Sequence, residues 1–514
     1  MKKILYIGLL AVGLTSVTGC KKYLDVNTNP NYPQEVAPYL YLSPIESYMA
    51  IGIQFDARYI GKYVQNWSAN FAGDTWDKHG YIPGSDASGE LFKSVYWRHG
   101  LNLGEMIRLS EEQERWDMAG AGKIIRAWGW QMLTDYSGET IMSEAFLPDK
   151  KTFNYDTQEQ IYAEVVRLCE EGIKDLERTD GAVSQAYMAK GDLMFNGDRA
   201  KWIKFAYGLL AINAHHLSNK ASYDPDKVIS YVDKSMASNA DDALIPFNGT
   251  VGGDANFFGP LRNNISSFRQ TNYIVSLMDG TKTMGVRDPR ISRMLVTAPD
   301  SVIRGIEPTQ GYGSLATSQR PNTLWNTVGA PPPGLVGRYL FDNKAKFPLM
   351  TYAQMQFIKA EAAVKKNDQA TARLAFLNGV SSHIDFVNQV NSQVGAPGFT
   401  AITATEKADY LASAAIPSGP LTVSDVLLQK YIAQFGWAFI ETWSDIRRYH
   451  YDPAILNGFT PPTELNLYPD NNGKLAYRFR LRYNSEYVWN RESLDAIGAL
   501  NPDFHTIEMW FTKP

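Results

Sequence analysis

The spacing of apolar residues along the chain predicts a mainly helical protein. Over long segments, apolar positions recur every three or four residues, the period of an α-helix that buries one face. This pattern predicts helices over residues 90–113, 119–138, 156–177, 198–218, 224–238, 351–368, 370–389 and 424–449. We expect the first two of these helices to pack as an antiparallel pair.

Two of these segments carry a well-defined apolar stripe. In 156–177, an Asp/Thr capping signal and an acidic first turn precede the stripe Ile161, Val165, Leu168, Cys169, Ile173 and Leu176. In 198–218, the stripe consists of Trp202, Phe205, Ala206, Leu209 and Leu210. Small residues mixed with aromatics on packing faces are typical of helix–turn–helix repeats. No exact 34-residue period is visible, so we predict tetratricopeptide-like helix pairs rather than a regular array.

Three long segments lack this periodicity. Residues 63–89, 245–264 and 304–334 combine Gly, Asn, Asp or Pro with Trp, Tyr and Phe. Irregular segments of this length inside a compact protein are usually functional or disordered, and their aromatic content argues against disorder. We therefore expect long irregular loops, carried on the helical scaffold, to form a recognition surface.

The first 38 residues read as a membrane-targeting region. Lys2 and Lys3 precede residues 4–17, an uncharged and mostly apolar run that is shorter than a membrane span. Residues 1–19 are therefore predicted to be a signal peptide. Cys20, one of only two cysteines, follows Thr18 and Gly19 and resembles the lipobox cysteine of bacterial lipoproteins, which is acylated. The alternative is an ordinary signal peptide with an incidental cysteine.

The predicted signal peptide and lipidated cysteine divide the rest of the chain into a tether and a folded domain. Residues 20–38 would comprise the lipidated Cys20 and a polar, proline-broken tether, which leaves residues 39–514 as the folded domain. With Cys20 acylated, Cys169 has no disulfide partner, and we expect it to be a small core hydrophobe.

Charge and motifs exclude several classes of function. The formal net charge is −4 and no basic block is present, which argues against nucleic acid as a partner. The histidines are scattered, and His215 and His216 are adjacent, so they do not form the i,i+4 pair typical of zinc sites. No phosphate-binding loop or nucleophile-elbow motif is found. The sequence therefore predicts neither a cofactor nor a catalytic metal, and residue spacing neither indicates nor excludes a structural calcium held by loop aspartates.

The aromatic loops suggest sugar binding. The apolar face of a sugar ring packs on an aromatic ring, and its hydroxyls need polar partners, so a site combines both. Trp76 and Trp325 are the strongest candidates, because turn-forming residues flank them. For each aromatic the alternative is a core role that anchors its loop. The candidates are Trp67, Asn70, Phe71, Asp74, Trp76 and Tyr81 from the first loop, Tyr312, Arg320, Asn322 and Trp325 from the third, and Phe257 and Phe258 from the second.

A glycoside hydrolase is the less favoured class of function. Such an enzyme needs two suitably separated carboxylates and no local motif. Glu441 and Asp445 lie four residues apart on one predicted helix face. The neighbouring Arg447 and Arg448 favour a salt-bridged helix end instead.

Several longer segments resemble the SusD/RagB family of nutrient-binding outer-membrane lipoproteins from Bacteroidetes. They are CKKYLDVNTNPN at Cys20, GDRAKWIKFAYGLLAINAHHLS, FPLMTYAQMQFIKAEAA, QKYIAQFGWAFIETWSDIRRY and the terminal RFRLRYNSEYVWNRESL. Asn484 departs from the pattern, since relatives often have Pro there. The resemblance implies a SusD-like fold and a lipid-anchored protein of the cell surface. It also implies delivery of an oligosaccharide, or in some members a peptide, to a SusC-like TonB-dependent transporter.

Overall fold

Helices dominate the part of the chain that the computed structural model describes, residues 36–514. The predicted signal peptide, Cys20 and the tether up to residue 35 lie outside the described residues. In chain order the elements are α1 (Tyr39–Tyr63), β1 (Trp67–Ala69), α2 (Glu90–Lys93), α3 (Gly100–Glu112), α4 (Trp116–Ser137), α5 (Gln158–Glu177), α6 (Gln185–Met188), α7 (Arg199–His216), α8 (Pro225–Lys234), β2 (Ala243–Ile245), β3 (Phe268–Gln270), α9 (Asn272–Met278), α10 (Ile291–Met294), β4 (Phe347–Met350), α11 (Tyr352–Lys365), α12 (Gln369–Val394), α13 (Ala404–Ala412), α14 (Val423–Gln434), α15 (Phe439–Arg448) and α16 (Arg491–Ala496).

Neighbouring helices pack in pairs, as the periodicity predicts. The most extensive contacts are α4 with α5 and α11 with α12, and α3 packs on α4. Gly120 of α4 and Gly172 of α5 allow this close approach, because a Cβ at Gly120 would lie 2.6 Å from the Gly172 carbonyl oxygen. Helix α5 begins with a capping box at Thr157, and both predicted stripes are buried. Cys169 is fully buried among them, and burial raises the pKa of its thiol.

The structure divides two segments that the pattern predicts as continuous helices. Gly436, with a φ of +86°, separates α14 from α15 within 424–449. A π-helical turn, Ser94–His99, joins α2 to α3 within 90–113. Helix α1 has no counterpart in the prediction, although it contributes many buried residues to the core.

Two small antiparallel sheets fix the irregular segments to the helices. Strand β1 pairs with β3, and β2 pairs with β4. Each strand has three or four residues, which is too short for a reliable alternating pattern. Within residues 36–514, no helix is long and apolar enough to cross a membrane.

A buried ionic cluster joins the ends of four helices. The Lys430 ammonium lies 2.9 Å from a carboxylate oxygen of Glu441 and 2.8 Å from one of Asp445. Arg448 pairs with Asp445 and with Glu361 of α11, and His216 of α7 lies 2.8 Å from Glu441. The salt-bridged reading of Glu441 and Asp445 is therefore confirmed. Arg447, in contrast, donates hydrogen bonds to the backbone carbonyl oxygens of Trp443, Asp135 and Tyr477.

Candidate ligand-binding site

Strand β1 brings the first irregular segment to the middle of the chain. In the ladder Trp67 lies opposite Gln270, and Ala69 lies opposite Phe268. The backbone N–H of Asn70 donates to the Ser267 carbonyl at 2.9 Å and ends the pairing. Beyond this point the chain turns outward, so Asn70 and Phe71 lie at the surface.

The third irregular segment meets the first one there. The Tyr312 N–H donates to the Asn70 carbonyl at 3.3 Å, and the Gly73 N–H donates to the Thr309 carbonyl at 3.0 Å. Gly311 lies between these bonds with a φ of +58°, and a Cβ there would come within 2.5 Å of the Phe71 carbonyl carbon. We call this contact between residues 70–74 and 309–320 the loop junction.

Arg269 supports the loop junction from below. It is 2% exposed, and its Nε donates to the Tyr312 hydroxyl at 2.8 Å and to the Pro321 carbonyl at 2.9 Å. Its Nη1 donates to the carbonyls of Ser266 and Phe268. Four hydrogen bonds from one buried guanidinium fix the Tyr312 ring in place, because a rigid planar donor group permits few alternative orientations.

The upper surface of the loop junction combines an aromatic ring with polar groups that lack partners. Phe71 is 53% exposed, and its ring packs on no other aromatic ring among the described residues. The Arg320 guanidinium lies 5.0 Å from the centre of the Tyr312 ring, and of its nitrogens only Nε has a described partner, the Leu315 carbonyl. The Asn70 amide also makes no side-chain hydrogen bond within residues 36–514. This combination matches the apolar face and hydroxyl rim of a sugar.

Two aspartates hold the first segment in shape. Asp74 accepts a hydrogen bond from the Lys62 ammonium at 2.7 Å and others from the backbone N–H groups of Trp76 and Asp77. Asp77 accepts from the Ser68 hydroxyl at 2.7 Å, and burial raises the pKa of its carboxyl to about 7. One carboxylate oxygen of the predicted binding residue Asp74, Oδ1, thus accepts all three hydrogen bonds, which gives Asp74 a role in positioning Asn70 and Phe71.

The structure corrects the prediction for Trp67 and Trp325. Both indoles are buried, at 0% and 2% exposure, and neither ring presents a face to solvent. Trp67 stacks on Phe268 and contacts Phe439, and the Trp325 indole N–H donates to the Phe258 carbonyl at 2.7 Å. Long loops on a large protein bury their own aromatics to gain hydrophobic stabilisation, and flanking turn residues do not reveal this.

The second-loop candidates and Asn322 are buried as well. Phe257 and Phe258 are 5% and 0% exposed and belong to the main core. Asn322 is 9% exposed, and its amide N–H donates to the Asn326 side chain. Of the predicted residues, the structure therefore brings Asn70, Phe71, Tyr312 and Arg320 together at the surface.

Trp76 and Tyr81 lie elsewhere, beside the C-terminal segment. Trp76 is 4% exposed, packs on Tyr59 with ring centres 4.5 Å apart, and reaches the wall of a cavity of about 180 Å³. Tyr81 lines the same cavity, and its hydroxyl donates to Asp470 at 2.7 Å. Trp76 is therefore corrected to a core residue with one edge at this cavity. The other walls include Arg480, Tyr483 and Tyr487, which belong to the terminal segment RFRLRYNSEYVWNRESL and are not among the predicted binding residues.

Another cavity, of about 720 Å³, lies between α12 and α14. Among the described residues that line it, Phe376 is the only aromatic, and it is 1% exposed. Without an exposed ring this cavity lacks a stacking surface for a sugar. The loop junction is the better candidate.

Comparison with known proteins identifies the family of this chain. The profile of a SusD-like family, described as starch-binding and associating with the outer membrane, matches residues 30–480. The chain belongs to the SusD-like family. The resemblance to SusD/RagB proteins found in the sequence is thus confirmed. No curated protein has a matching sequence.

Solved structures share the SusD-like fold along nearly the whole chain. A SusD/RagB family protein from Bacteroides thetaiotaomicron superposes with a TM-score of 0.72 at 22% identity, covering 93% of this chain and 99% of that one. A chitin-binding SusD homologue from Flavobacterium johnsoniae gives a TM-score of 0.69 at 17% identity, covering 92% and 98%. A protein described as chitin-binding gives 0.68 at 20% identity, covering 93% and 100%. The helical SusD-like fold predicted from the sequence is therefore confirmed.

Proposed function

We propose that this protein is a cell-surface lipoprotein of the outer membrane that binds an oligosaccharide at the loop junction. It then delivers this nutrient to a SusC-like TonB-dependent transporter. The observation that carries the proposal is the exposed Phe71 side chain on the segment that meets Tyr312, with the Arg320 guanidinium over the Tyr312 ring. The process is equilibrium binding without chemistry on the ligand.

Three independent points support a glycan as the nutrient. The family profile is described as starch-binding, and two structural neighbours are described as chitin-binding. An open surface with one free ring suits a long polymer, because the chain can pass over it without entering a closed pocket. Arg320 and Asn70 supply hydrogen-bond donors to sugar hydroxyls, which a flat aromatic surface alone lacks.

A binding screen tests the proposal. The full-length protein in detergent is passed over immobilised starch, chitin and other glycans, and over a peptide pool. Phe71→Ala is expected to lower affinity for the retained glycan by about 2- to 13-fold, because it removes one aromatic contact worth about 0.5–1.5 kcal/mol. Val328→Ala, an exposed apolar control outside the loop junction, is expected to bind normally.

The same samples separate the alternatives. Retention by peptides alone would keep a nutrient-binding function and replace the glycan with a peptide. Shortening of a glycan would indicate a glycoside hydrolase. We expect no shortening, because Glu441 and Asp445 are 6% and 4% exposed and are engaged by Lys430.

The anchor and the partner need separate experiments. Radiolabelled palmitate is expected to be incorporated into the wild-type protein and not into Cys20→Ala. In cells, the anchored protein is expected to co-purify with a transporter barrel whether or not Phe71 is replaced. Loss of the barrel with intact glycan binding would contradict delivery and leave the binding function in place.

A further inference from the structure

A second cleft, separate from the loop junction, is formed where the segment 480–487 crosses the first irregular loop. On one side of this segment is the cavity of about 180 Å³, which is bordered by Tyr81. On the other side is a groove of about 480 Å³, which contains Trp97. Neighbouring residues of the segment line different sides: Arg482 lines the groove, and Tyr483 lines the cavity. We call the two together the C-terminal cleft.

The lining of the C-terminal cleft is aromatic and basic. The Tyr483 and Tyr487 rings stack with centres 5.8 Å apart and planes 12° apart. Trp97 is 66% exposed. Of the described residues that line the cleft, none is Asp or Glu, whereas four are cationic: Lys93, Arg480, Arg482 and Arg491. A local surplus of positive charge is unexpected in a chain whose formal net charge is −4.

Two of these cations have no carboxylate partner in the part of the chain that the structure describes. Lys93 pairs with Glu90, and Arg482 pairs with Asp86. Arg480 instead donates to the backbone carbonyls of Ala499, Asn501 and Pro502, and its charge has no carboxylate partner within residues 36–514. Arg491, the exposed first residue of α16, makes no ion pair or hydrogen bond among the described residues.

The backbone at the cleft is unusual in a way that often accompanies function. Both walls of the groove are π-helical turns, Ser94–His99 and Tyr483–Tyr487. Such turns are rare and occur frequently at functional sites, because the wider turn changes the direction of the side chains. The first turn contributes Tyr96 and Trp97, and the second contributes Tyr483 and Tyr487.

We propose that the C-terminal cleft is a second binding site that takes a carboxylate-bearing sugar, such as a uronate unit of an acidic oligosaccharide. The Tyr483 and Tyr487 pair provides the surface for the sugar ring, and Arg491 pairs with the carboxylate. A guanidinium suits this task because its planar N–H groups match the two oxygens of a carboxylate. The cavity is smaller than the 300–1,000 Å³ usual for drug-sized ligands, so it accommodates about one ring.

The test compares two ligands that differ only in whether their carboxyl groups are ionised or carry a methyl ester. Calorimetry with the full-length protein in detergent measures the affinity for trigalacturonate and for its fully methyl-esterified form. Trigalacturonate is expected to bind at least tenfold more tightly, and its affinity is expected to fall as salt increases. Equal affinity for the acid and the ester would overturn the proposal.

Variants assign the preference to the cleft. Arg491→Gln is expected to lower the affinity for trigalacturonate at least fivefold and to leave the ester unaffected. Tyr483→Ala is expected to lower the affinity for both trigalacturonate and its ester. The matched control Arg287→Gln removes another exposed arginine outside the cleft and is expected to change neither. An unchanged acid preference in Arg491→Gln would refute the assignment.

Two further binding measurements separate this second site from the proposed function of the loop junction. If Phe71→Ala rather than Arg491→Gln abolishes trigalacturonate binding, the acid binds at the loop junction and the second site is rejected. If a tri-glutamate peptide binds the cleft as tightly as trigalacturonate, the ligand is an acidic peptide and the sugar assignment is wrong. Neither result affects neutral glycan binding at the loop junction.

Discussion

The Nε of Arg269 donates to the hydroxyl of Tyr312 at 2.8 Å and connects β3 to the third irregular loop. The same guanidinium donates to three backbone carbonyls of the surrounding chain. The loop junction therefore depends on one buried cation beneath it. Phe71 and Arg320, which are proposed to touch the ligand, are instead exposed.

Because Arg269 is buried and Arg320 is exposed, replacing them is expected to have different effects on stability and on glycan binding. Arg269→Met leaves several buried carbonyls without donors and is expected to lower the free energy of unfolding by roughly 2–3 kcal/mol. Arg320→Met, at an exposed arginine, is expected to change it by less than about 0.5 kcal/mol while weakening glycan binding. Urea denaturation and calorimetry measure the two effects. Equal stability losses would show that Arg269 does not support the loop junction.

The burial of Trp325 leads to a second prediction. Trp325→Ala removes a core indole that is 2% exposed and is expected to destabilise the protein by roughly 3–5 kcal/mol. Trp97→Ala removes an indole that is 66% exposed and is expected to cost less than about 0.5 kcal/mol. Thermal unfolding of the two variants makes the comparison. A stable Trp325→Ala that loses glycan binding would restore Trp325 as a ligand contact.

Gly311 and Gly313 offer a matched pair at the loop junction. Both have positive φ, at +58° and +50°, so alanine at either costs about 1–2 kcal/mol in backbone strain. A Cβ at Gly311 would also collide with the Phe71 backbone, whereas a Cβ at Gly313 meets nothing within 4 Å. We expect Gly311→Ala to reduce glycan affinity and stability more than Gly313→Ala. Similar losses in both variants would mean that the loops do not meet as described.

His216 makes stability depend on pH. Burial by itself lowers the pKa of this imidazole, but Glu441 and Asp135 outweigh burial and raise the pKa to about 9. The unfolded value is about 6.5, so the folded state binds the extra proton. The stabilising contribution of protonated His216 to the free energy of unfolding is complete below about pH 6.5. It declines as pH rises and is lost above the folded pKa of about 9.

The measurement compares the wild type with His216→Gln. The difference between their free energies of unfolding is expected to shrink between pH 6.5 and pH 10, because only the wild type carries the titrating group. Titrating groups that do not contact the His216 cluster behave alike in both proteins and cancel in the difference. A difference that does not change over this range would contradict a charged His216.

Many of the helices were readable from local pattern. Apolar residues on a buried helical face recur every three to four residues. The local pattern of 156–177 and 198–218 was therefore enough to predict that both are helices and which face of each is buried. The break at Gly436 escaped the pattern, because apolar residues continue through it on both sides. The π-helical turn at Ser94–His99 escaped for the same reason.

The choice of site residues was decided by tertiary structure. The sequence by itself placed sugar-binding chemistry in the aromatic loops, and Asn70, Phe71, Tyr312 and Arg320 do meet at the surface. It ranked Trp76 and Trp325 highest, and both are buried. Local composition does not reveal which aromatics a loop turns inward, because their burial depends on partners such as Phe258, Phe439 and Tyr59, which lie far away in the chain. Only the packed structure supplies those partners, and only it brings residue 70 against residue 312.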